Sequence, residues 1–192
     1  MKSDIILAGV GGQGILTIAT ILGSAALADD LYLKQAEVHG MSQRGGSVVT
    51  YVRFGEKVYS PLIDKGEADF ILSFEKLEAA RWLSYLKEGG QIVVSDQEID
   101  PMPVVTGAAA YPDGLIEKMA EEGAKVDAIP ALTLALEAGS VKAVNIVLMG
   151  RLSRYFPEIP EEKWRKALES VVPAKFIELN EKAFTLGRGY EQ

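Results

Sequence analysis

The sequence predicts an α/β protein: a Rossmann-like, mostly parallel sheet with an inserted β-hairpin, helices on both faces and a helical C-terminal region. Short apolar runs alternate with helix-like segments through the first 130 or so residues. A glycine-rich turn follows the first apolar run, and after Pro130 the apolar residues recur at helical spacing only. We expect one domain over residues 1–192, with an α/β core at about 1–140 and a helical part at about 141–192.

The first elements form a predicted β-α-β unit. Residues 4–9 are an apolar run that ends in glycine, which is typical of a buried parallel strand. Residues 15–28 are rich in Ala, Leu and Ile and predict a helix. Residues 32–38 predict the second strand, and such crossovers are almost always right-handed.

A hairpin is predicted next. Residues 47–54 alternate and are β-branched, so they predict a strand. Gly55, Glu56 and Lys57 then form a predicted turn, residues 58–60 return, and Pro61 ends the pair.

The rest of the chain continues the alternation and then becomes helical. Proline interrupts residues 100–107, which are expected to be irregular. The remaining predicted strands are 69–74, 91–95 and 126–129; the predicted helices are 75–86, 112–122, one around residues 144–155, one opened by Pro160, and 178–186.

Composition excludes several kinds of chemistry. The 192 residues contain no cysteine and one histidine, so thiolate nucleophiles, disulfides, Cys-ligated zinc or iron–sulfur clusters and multi-histidine metal sites are excluded. We expect no metal site in this chain. With 20 basic and 27 acidic residues, the net charge is −7, which disfavours nucleic acid as a partner.

One uncharged stretch imitates a membrane span or a secretion signal. Residues 5–28 carry no charge, but five glycines and Gln13 interrupt them, and Asp4 lies where a signal's basic region belongs. We therefore expect a cytoplasmic protein without membrane association.

The first motif is the glycine-rich turn after the first strand. Gly9, Gly11, Gly12 and Gly14, with Gln13 among them, open the following helix, whose N-terminus offers free N–H groups to an anion. A dinucleotide site also needs an acid about 20 residues later. That position is Lys34, and Glu37 comes slightly late. An anion contact, a dinucleotide site and a purely structural turn therefore remain open.

The second motif is the segment 37–46, Glu-Val-His-Gly-Met-Ser-Gln-Arg-Gly-Gly, after the second strand. Open α/β sheets bind ligands at the carboxyl ends of their strands. Arg44 is a candidate clamp for a carboxylate or phosphate, and His39 a candidate proton shuttle. The alternative is a loop held by its own hydrogen bonds, with Arg44 paired to Glu37. The predicted ligand-contacting residues of this loop are Ser42, Gln43, Arg44, Gly45 and Gly46.

Two weaker candidates are interpreted as structural. Asp96, Glu98 and Asp100 resemble the start of a calcium loop, but Pro101 replaces the required glycine. Asn145 lies in an apolar helix, where a hydrogen bond to a packed neighbour is expected.

The chain resembles the gamma-type domain of 2-oxoacid:ferredoxin oxidoreductases over nearly its whole length. The resemblance depends on the glycine turn, the 37–46 loop, the Ser-Pro-Leu-Ile string at 60–63 and Asn145. The loop is most similar to the small (beta) subunit of the indolepyruvate enzymes, and it is the more specific of these motifs.

The resemblance implies a function in an assembly. Such enzymes use thiamine diphosphate with Mg to decarboxylate a 2-oxo acid oxidatively. They reduce ferredoxin through [4Fe-4S] clusters and deliver the acyl group to coenzyme A. This chain lacks a Gly-Asp-Gly thiamine signature and has no cysteine. Thiamine diphosphate, Mg and the clusters are thus expected in a large partner subunit. Ferredoxin is expected to bind the assembled complex. The isolated chain is compatible with a homodimer.

The resulting hypothesis is that the two glycine-containing loops face the partner's active site, with Arg44 as the anion contact for coenzyme A or the substrate carboxylate. Two alternatives stay open: an autonomous NAD(P)- or flavin-binding Rossmann oxidoreductase, and a non-catalytic assembly subunit.

Overall fold

Six strands form one sheet in the computed structural model, which describes residues 2–27, 31–40 and 45–191. Their order across the sheet is β2-β3-β1-β4-β5-β6. The bounds are β1 (Ser3–Val10), β2 (Tyr32–His39), β3 (Ser47–Gly55), β4 (Ala68–Ser73), β5 (Leu86–Ser95) and β6 (Lys125–Ile129).

The sheet is parallel on one side of β1 and antiparallel on the other. Strands β1, β4, β5 and β6 are parallel neighbours. Strand β3 pairs antiparallel with both β1 and β2. The predicted fold class is confirmed, but the first β-α-β unit is not a pair of adjacent strands. β3 lies between β1 and β2, because its alternating apolar side chains are buried there on both faces.

The hairpin was predicted with the wrong second arm. Residues 58–60 form no strand; the antiparallel partner of β3 is the preceding strand β2, through pairs such as Ala36 with Tyr51. Local turn chemistry at Gly55-Glu56-Lys57 predicted a return that Pro61 and the short run before it cannot make.

Helices cover both faces of the sheet. One face packs α1 (Ile15–Leu27), α5 (Ala131–Ala138), α6 (Val144–Ser153), α7 (Glu161–Val171) and α8 (Ile177–Gly189) into one apolar core. The other packs α2 (Lys76–Trp82) and α4 (Leu115–Glu121) into a second core, and a four-residue helix, α3 (Met102–Val105), lies in the β5–α4 connection.

Strand alternation divides the side chains between the two cores. Ile5 and Leu7 of β1 enter the first core, whereas Ile6 and Ala8 enter the second. Within the described ranges, no helix has the length and apolar content needed to cross a bilayer.

Helices α6 and α8 approach each other backbone to backbone. A Cβ placed on Gly187 would lie 2.7 Å from the Val147 carbonyl carbon, and one on Gly150 would lie 3.0 Å from that of Phe184. Glycine at both positions therefore sets the separation of the two helices. The N-terminus of α6 in turn reaches the glycine turn, so this contact determines how the C-terminal helices are placed beside it.

Some boundaries differ from prediction. The helix expected over 75–86 is α2 followed by a 3-10 turn at Leu83–Tyr85, and β5 begins at Leu86 rather than at residue 91. Residues 100–107, expected to be irregular, contain α3, and the helix expected over 112–122 is limited to α4. The connection around Gly89 and Gly90 lies within β5 because the backbone continues the sheet there.

Candidate functional site

The glycine turn and the loop after β2 are hydrogen-bonded to each other. Gly11 N donates to Gly46 O at 2.8 Å, and Gly45 N donates to Gly11 O at 3.3 Å. Since β1 and β2 run in the same direction, both segments emerge at the same carboxyl edge of the sheet. Two motifs that the sequence placed about 30 residues apart thus form one structural unit.

Gln13 braces this unit from inside. Its Oε1 accepts from Val10 N at 2.7 Å, and its Nε2 donates to Phe74 O at 3.2 Å. The side chain therefore joins the carboxyl ends of β1 and β4. A Cβ on Gly9 would lie 2.6 Å from the same Oε1, so glycine at this position leaves room for the brace. Both Gly9 and the Gln13 amide, predicted as ligand contacts, make internal contacts.

A cavity of about 310 Å³ lies on the α1 side of the turn. Glu37 and His39 from β2 face it together with Gly11, Gly12, Gly14, Ile15, Leu16 and Val48, and Gln13 also contributes to its wall. His39 is exposed, and its Nδ1 lies 3.1 Å from Gly40 O. The structure thus brings the only histidine to the glycine turn.

The turn presents open backbone to this cavity. Gly12 has φ +103°, and a Cβ there would meet nothing within 4 Å. Among the described residues, no acceptor reaches the N–H groups of Ile15, Leu16 or Thr17 in the first turn of α1, where acidic residues are also absent. Free N–H groups at a helix start attract anions.

A second cavity, of about 530 Å³, lies on the other side of the turn. Asn145, at the start of α6, donates from Nδ2 to Gly14 O at 3.5 Å, which bears out its predicted packing role. A Cβ on Gly14, at φ +76°, would lie 2.5 Å from that Nδ2. Gln13, Gln97 and Lys142 are the other polar side chains in the lining.

Part of the predicted loop lies outside the described residues: Met41, Ser42, Gln43 and Arg44. Gly45 and Gly46 are described, and they line a third cavity of about 280 Å³ on the α2 side of the turn. Strand ends and bonded glycines therefore bracket the segment that carries Arg44.

Two buried carboxylates on α2, which no sequence motif indicated, support the site. Glu78 accepts from Ser47 Oγ at 2.5 Å, directly after Gly46, and from Arg81 Nε at 3.0 Å. Glu75, the N-cap of α2, accepts from Glu78 N at 2.9 Å. An acid that directly follows a buried strand was the available signal for Glu75.

Glu75 also binds a tyrosine from the β5–α4 connection. The Tyr111 hydroxyl donates to Glu75 Oε1, and burial together with this carboxylate raises the pKa of Tyr111 above its usual value near 10. The hydroxyl stays protonated at neutral pH and keeps donating.

The described residues contain no cluster of three or more His, Cys, Asp or Glu side chains that could hold a metal ion. Asp96, Glu98 and Asp100, considered above as a calcium loop, do not form such a cluster either.

Comparison with known proteins identifies relatives over the whole described fold. Residues 4–190 match the family described as pyruvate ferredoxin/flavodoxin oxidoreductase. An indolepyruvate oxidoreductase subunit IorB from Thermococcus kodakarensis is 47% identical over 189 residues, covering 96% of this chain and 93% of that one.

Solved structures show the same architecture. The gamma subunit of a keto/oxoacid ferredoxin oxidoreductase from Geobacter sulfurreducens matches with a TM-score of 0.72 and 25% identity, covering 97% of this chain and 96% of that chain. A 2-oxoglutarate:ferredoxin oxidoreductase from Magnetococcus marinus, solved with 2-oxoglutarate, coenzyme A and succinyl-CoA bound, matches with a TM-score of 0.74 and 23% identity. It covers 97% of this chain but 30% of that longer chain.

Proposed function

The chain belongs to the pyruvate ferredoxin/flavodoxin oxidoreductase family, and from this premise we propose that it is the small subunit of an indolepyruvate or aryl-pyruvate:ferredoxin oxidoreductase. In this proposal, residues 1–192 act as one gamma-type domain in the cytoplasm. The enzyme decarboxylates the 2-oxo acid oxidatively and forms an acyl-CoA. The observation that carries the proposal is the hydrogen-bonded unit of Gly11, Gly45 and Gly46, which joins both family motifs at one sheet edge.

The chemistry of the redox cofactors is assigned to the large partner. This chain has no cysteine, and its described residues hold no metal-binding cluster, so its own groups do not fit an iron–sulfur cluster or a Mg site. Thiamine diphosphate, Mg and [4Fe-4S] clusters therefore belong to the large subunit in this proposal. The purified chain alone is expected to be colourless and inactive.

The glycine turn and the 37–46 loop complete the partner's site. The free N–H groups at the start of α1 and the Arg44 guanidinium hold an anionic group, which is a phosphate of coenzyme A or the carboxylate of the 2-oxo acid. In this proposal His39, which lines the same cavity, exchanges a proton with the bound molecule.

The sheet order favours this function over an autonomous dinucleotide-binding enzyme. In a dinucleotide-binding unit, the acid that holds the ribose ends the strand beside β1. Here β3 occupies that position, and the acid Glu37 is on β2, two strand spacings or about 10 Å from β1. The ribose contact is therefore displaced by one strand.

The test is the kinetics of the assembled enzyme with Arg44→Ala. We expect the KM for coenzyme A or for the 2-oxo acid to rise about 10- to 100-fold, since a charge-assisted hydrogen bond contributes about 1.5–3 kcal/mol. Arg44→Lys should lose less. Arg154→Ala, at the far end of α6, is the matched control and should leave both KM values unchanged.

Other results would contradict the proposal in distinct ways. Unchanged rates and coenzyme A dependence in Arg44→Ala, with normal assembly, would indicate an assembly subunit without a ligand contact. Calorimetric binding of NAD(P) or flavin to the chain alone would indicate the autonomous enzyme instead.

A further inference from the structure

The connection between β5 and α4 presents apolar side chains to solvent at the carboxyl edge. Residues 96–114 leave the sheet there and include the short helix α3. Met102 and Val105, one turn apart on α3, are 66% and 64% exposed. Met102 also borders the third cavity, beside Gly45 and Gly46.

Hydrogen bonds hold this connection in place although α3 within it is exposed. Glu75, itself 1% exposed, accepts from Ile99 N at 3.4 Å and from the Tyr111 hydroxyl, so one buried carboxylate holds the connection on both sides of α3. Lys76 Nζ lies 2.5 Å from Glu98 Oε1. The two apolar side chains are therefore displayed by an anchored segment, which lowers the entropy cost of binding.

Other exposed apolar side chains lie on the same edge. Val141 borders the second cavity and is 53% exposed, and Leu16 borders the first and is 57% exposed. Each of the three carboxyl-edge cavities thus has an exposed apolar residue in its lining. We call the set Leu16, Met102, Val105 and Val141 the carboxyl-edge rim.

The charged residues of the connection that carries Met102 and Val105 are all acidic, whereas Lys142 beside Val141 and Arg81 in the third cavity are basic. Asp96, Glu98 and Asp100 are exposed on the connection, and Glu37 faces the first cavity. Two copies packed with connection against connection would repel each other, whereas a partner with basic groups around an apolar hollow would attract the connection. The charge pattern therefore favours a different chain over a second copy.

We propose that the carboxyl-edge rim is the docking surface for the large subunit, with Met102 and Val105 as its apolar anchors. This inference rests on the proposed function, since the two loops act on the partner's site only if this edge faces it. The fold also occurs as 30% of the longer 2-oxoglutarate enzyme chain, where it is covalently joined to the rest. Here, a separate subunit must supply the complementary surface, apolar with a basic border.

The test compares two charge-inserting double variants for assembly with the large subunit. Met102→Glu/Val105→Glu places charges on the rim. Tyr59→Glu/Leu62→Glu is the matched control: its residues are 87% and 56% exposed, and they follow β3 at the opposite edge of the sheet. Both should fold normally, because exposed substitutions change stability little. Thermal unfolding of each chain checks this.

The readout is the dissociation constant for the large subunit, measured by interferometry and checked by light scattering of the coexpressed complex. We expect Met102→Glu/Val105→Glu to weaken association at least about 30-fold, as loss of interface anchors does, and the control to stay within about threefold. Wild-type affinity in the rim variant, or equal weakening in the control, would overturn the inference. So would a chain that self-associates through the rim.

The docking proposal and the proposed function can fail independently of each other. If Arg44→Ala leaves the kinetics unchanged while the rim variant fails to assemble, the ligand role fails and the docking surface stands. If Arg44→Ala raises KM while the rim variant assembles normally, Met102 and Val105 are not the anchors of the interface and the ligand role stands.

Discussion

Replacing Gly187 by alanine should destabilise the fold by forcing α6 and α8 apart. The added Cβ would lie 2.7 Å from the Val147 carbonyl carbon and closer still to its oxygen. Ordinary contact begins at 3.4 Å, so the helices must separate by at least 3.4 − 2.7 = 0.7 Å. Because both contacting groups are backbone, no side-chain rotation can relieve the overlap.

The magnitude follows from two opposing effects. Overpacking of this kind costs up to about 3 kcal/mol, and alanine returns about 1 kcal/mol of helix propensity. The net loss is about 2 kcal/mol, which lowers Tm by about 4–8 °C for a chain of this length. Gly189→Ala on the same helix is the control, since a Cβ there meets nothing within 4 Å; its stability should be unchanged or slightly raised.

Calorimetry and urea unfolding of the two variants give the comparison. If Gly187→Ala and Gly189→Ala unfolded at the same temperature as the wild type, the close helix contact would not exist in solution. A smaller, second consequence concerns the site. Displacement of α6 moves Asn145 away from Gly14. Gly187→Ala in the assembled enzyme should therefore also raise the KM for coenzyme A or for the 2-oxo acid.

Two further predictions concern the supports of the site. Gln13→Met removes both bonds that join Val10 to Phe74 and should cost about 1–3 kcal/mol in urea unfolding; an unchanged midpoint would show that the brace is not formed. Tyr111→Phe should cost about 1.5–3 kcal/mol at neutral pH. Burial and Glu75 raise the folded pKa of Tyr111, so its stabilisation is full below pH about 10 and is lost as pH rises further. The wild type and Tyr111→Phe should thus converge in alkali; a constant difference from pH 7 to 11 would contradict this assignment.

Elements with strong local patterns could be predicted from the sequence. The apolar run before Gly9 and the Ala/Leu/Ile-rich segment after Gly14 gave β1 and α1 nearly to the residue. The position of β3 could not be predicted. Its alternation shows that it is a strand, but the choice between pairing with residues 58–60 and inserting between β1 and β2 depends on contacts distant in sequence.

The site was predictable in part for the same reason. Glycines and polar groups at strand ends identified the turn and the 37–46 loop, and the structure joins them through Gly11. The internal role of Gln13 depends on Phe74, 61 residues away, and the role of Glu75 depends on Tyr111, 36 residues away. Motif spacing carries no information about such partners.

The insertion of β3 also makes β2 an edge strand, which should open more easily than the centre of the sheet. Strand β2 is paired on one side only, through β3, and most of its side chains are exposed. Its amides should exchange hydrogen with solvent through local opening, far more readily than those of β1 or β4. Glu37 and His39 therefore lie on an exposed edge strand, whereas the glycine turn is attached to a central strand. We therefore expect the β2 side of the first cavity to yield to an incoming molecule more readily than the glycine turn does.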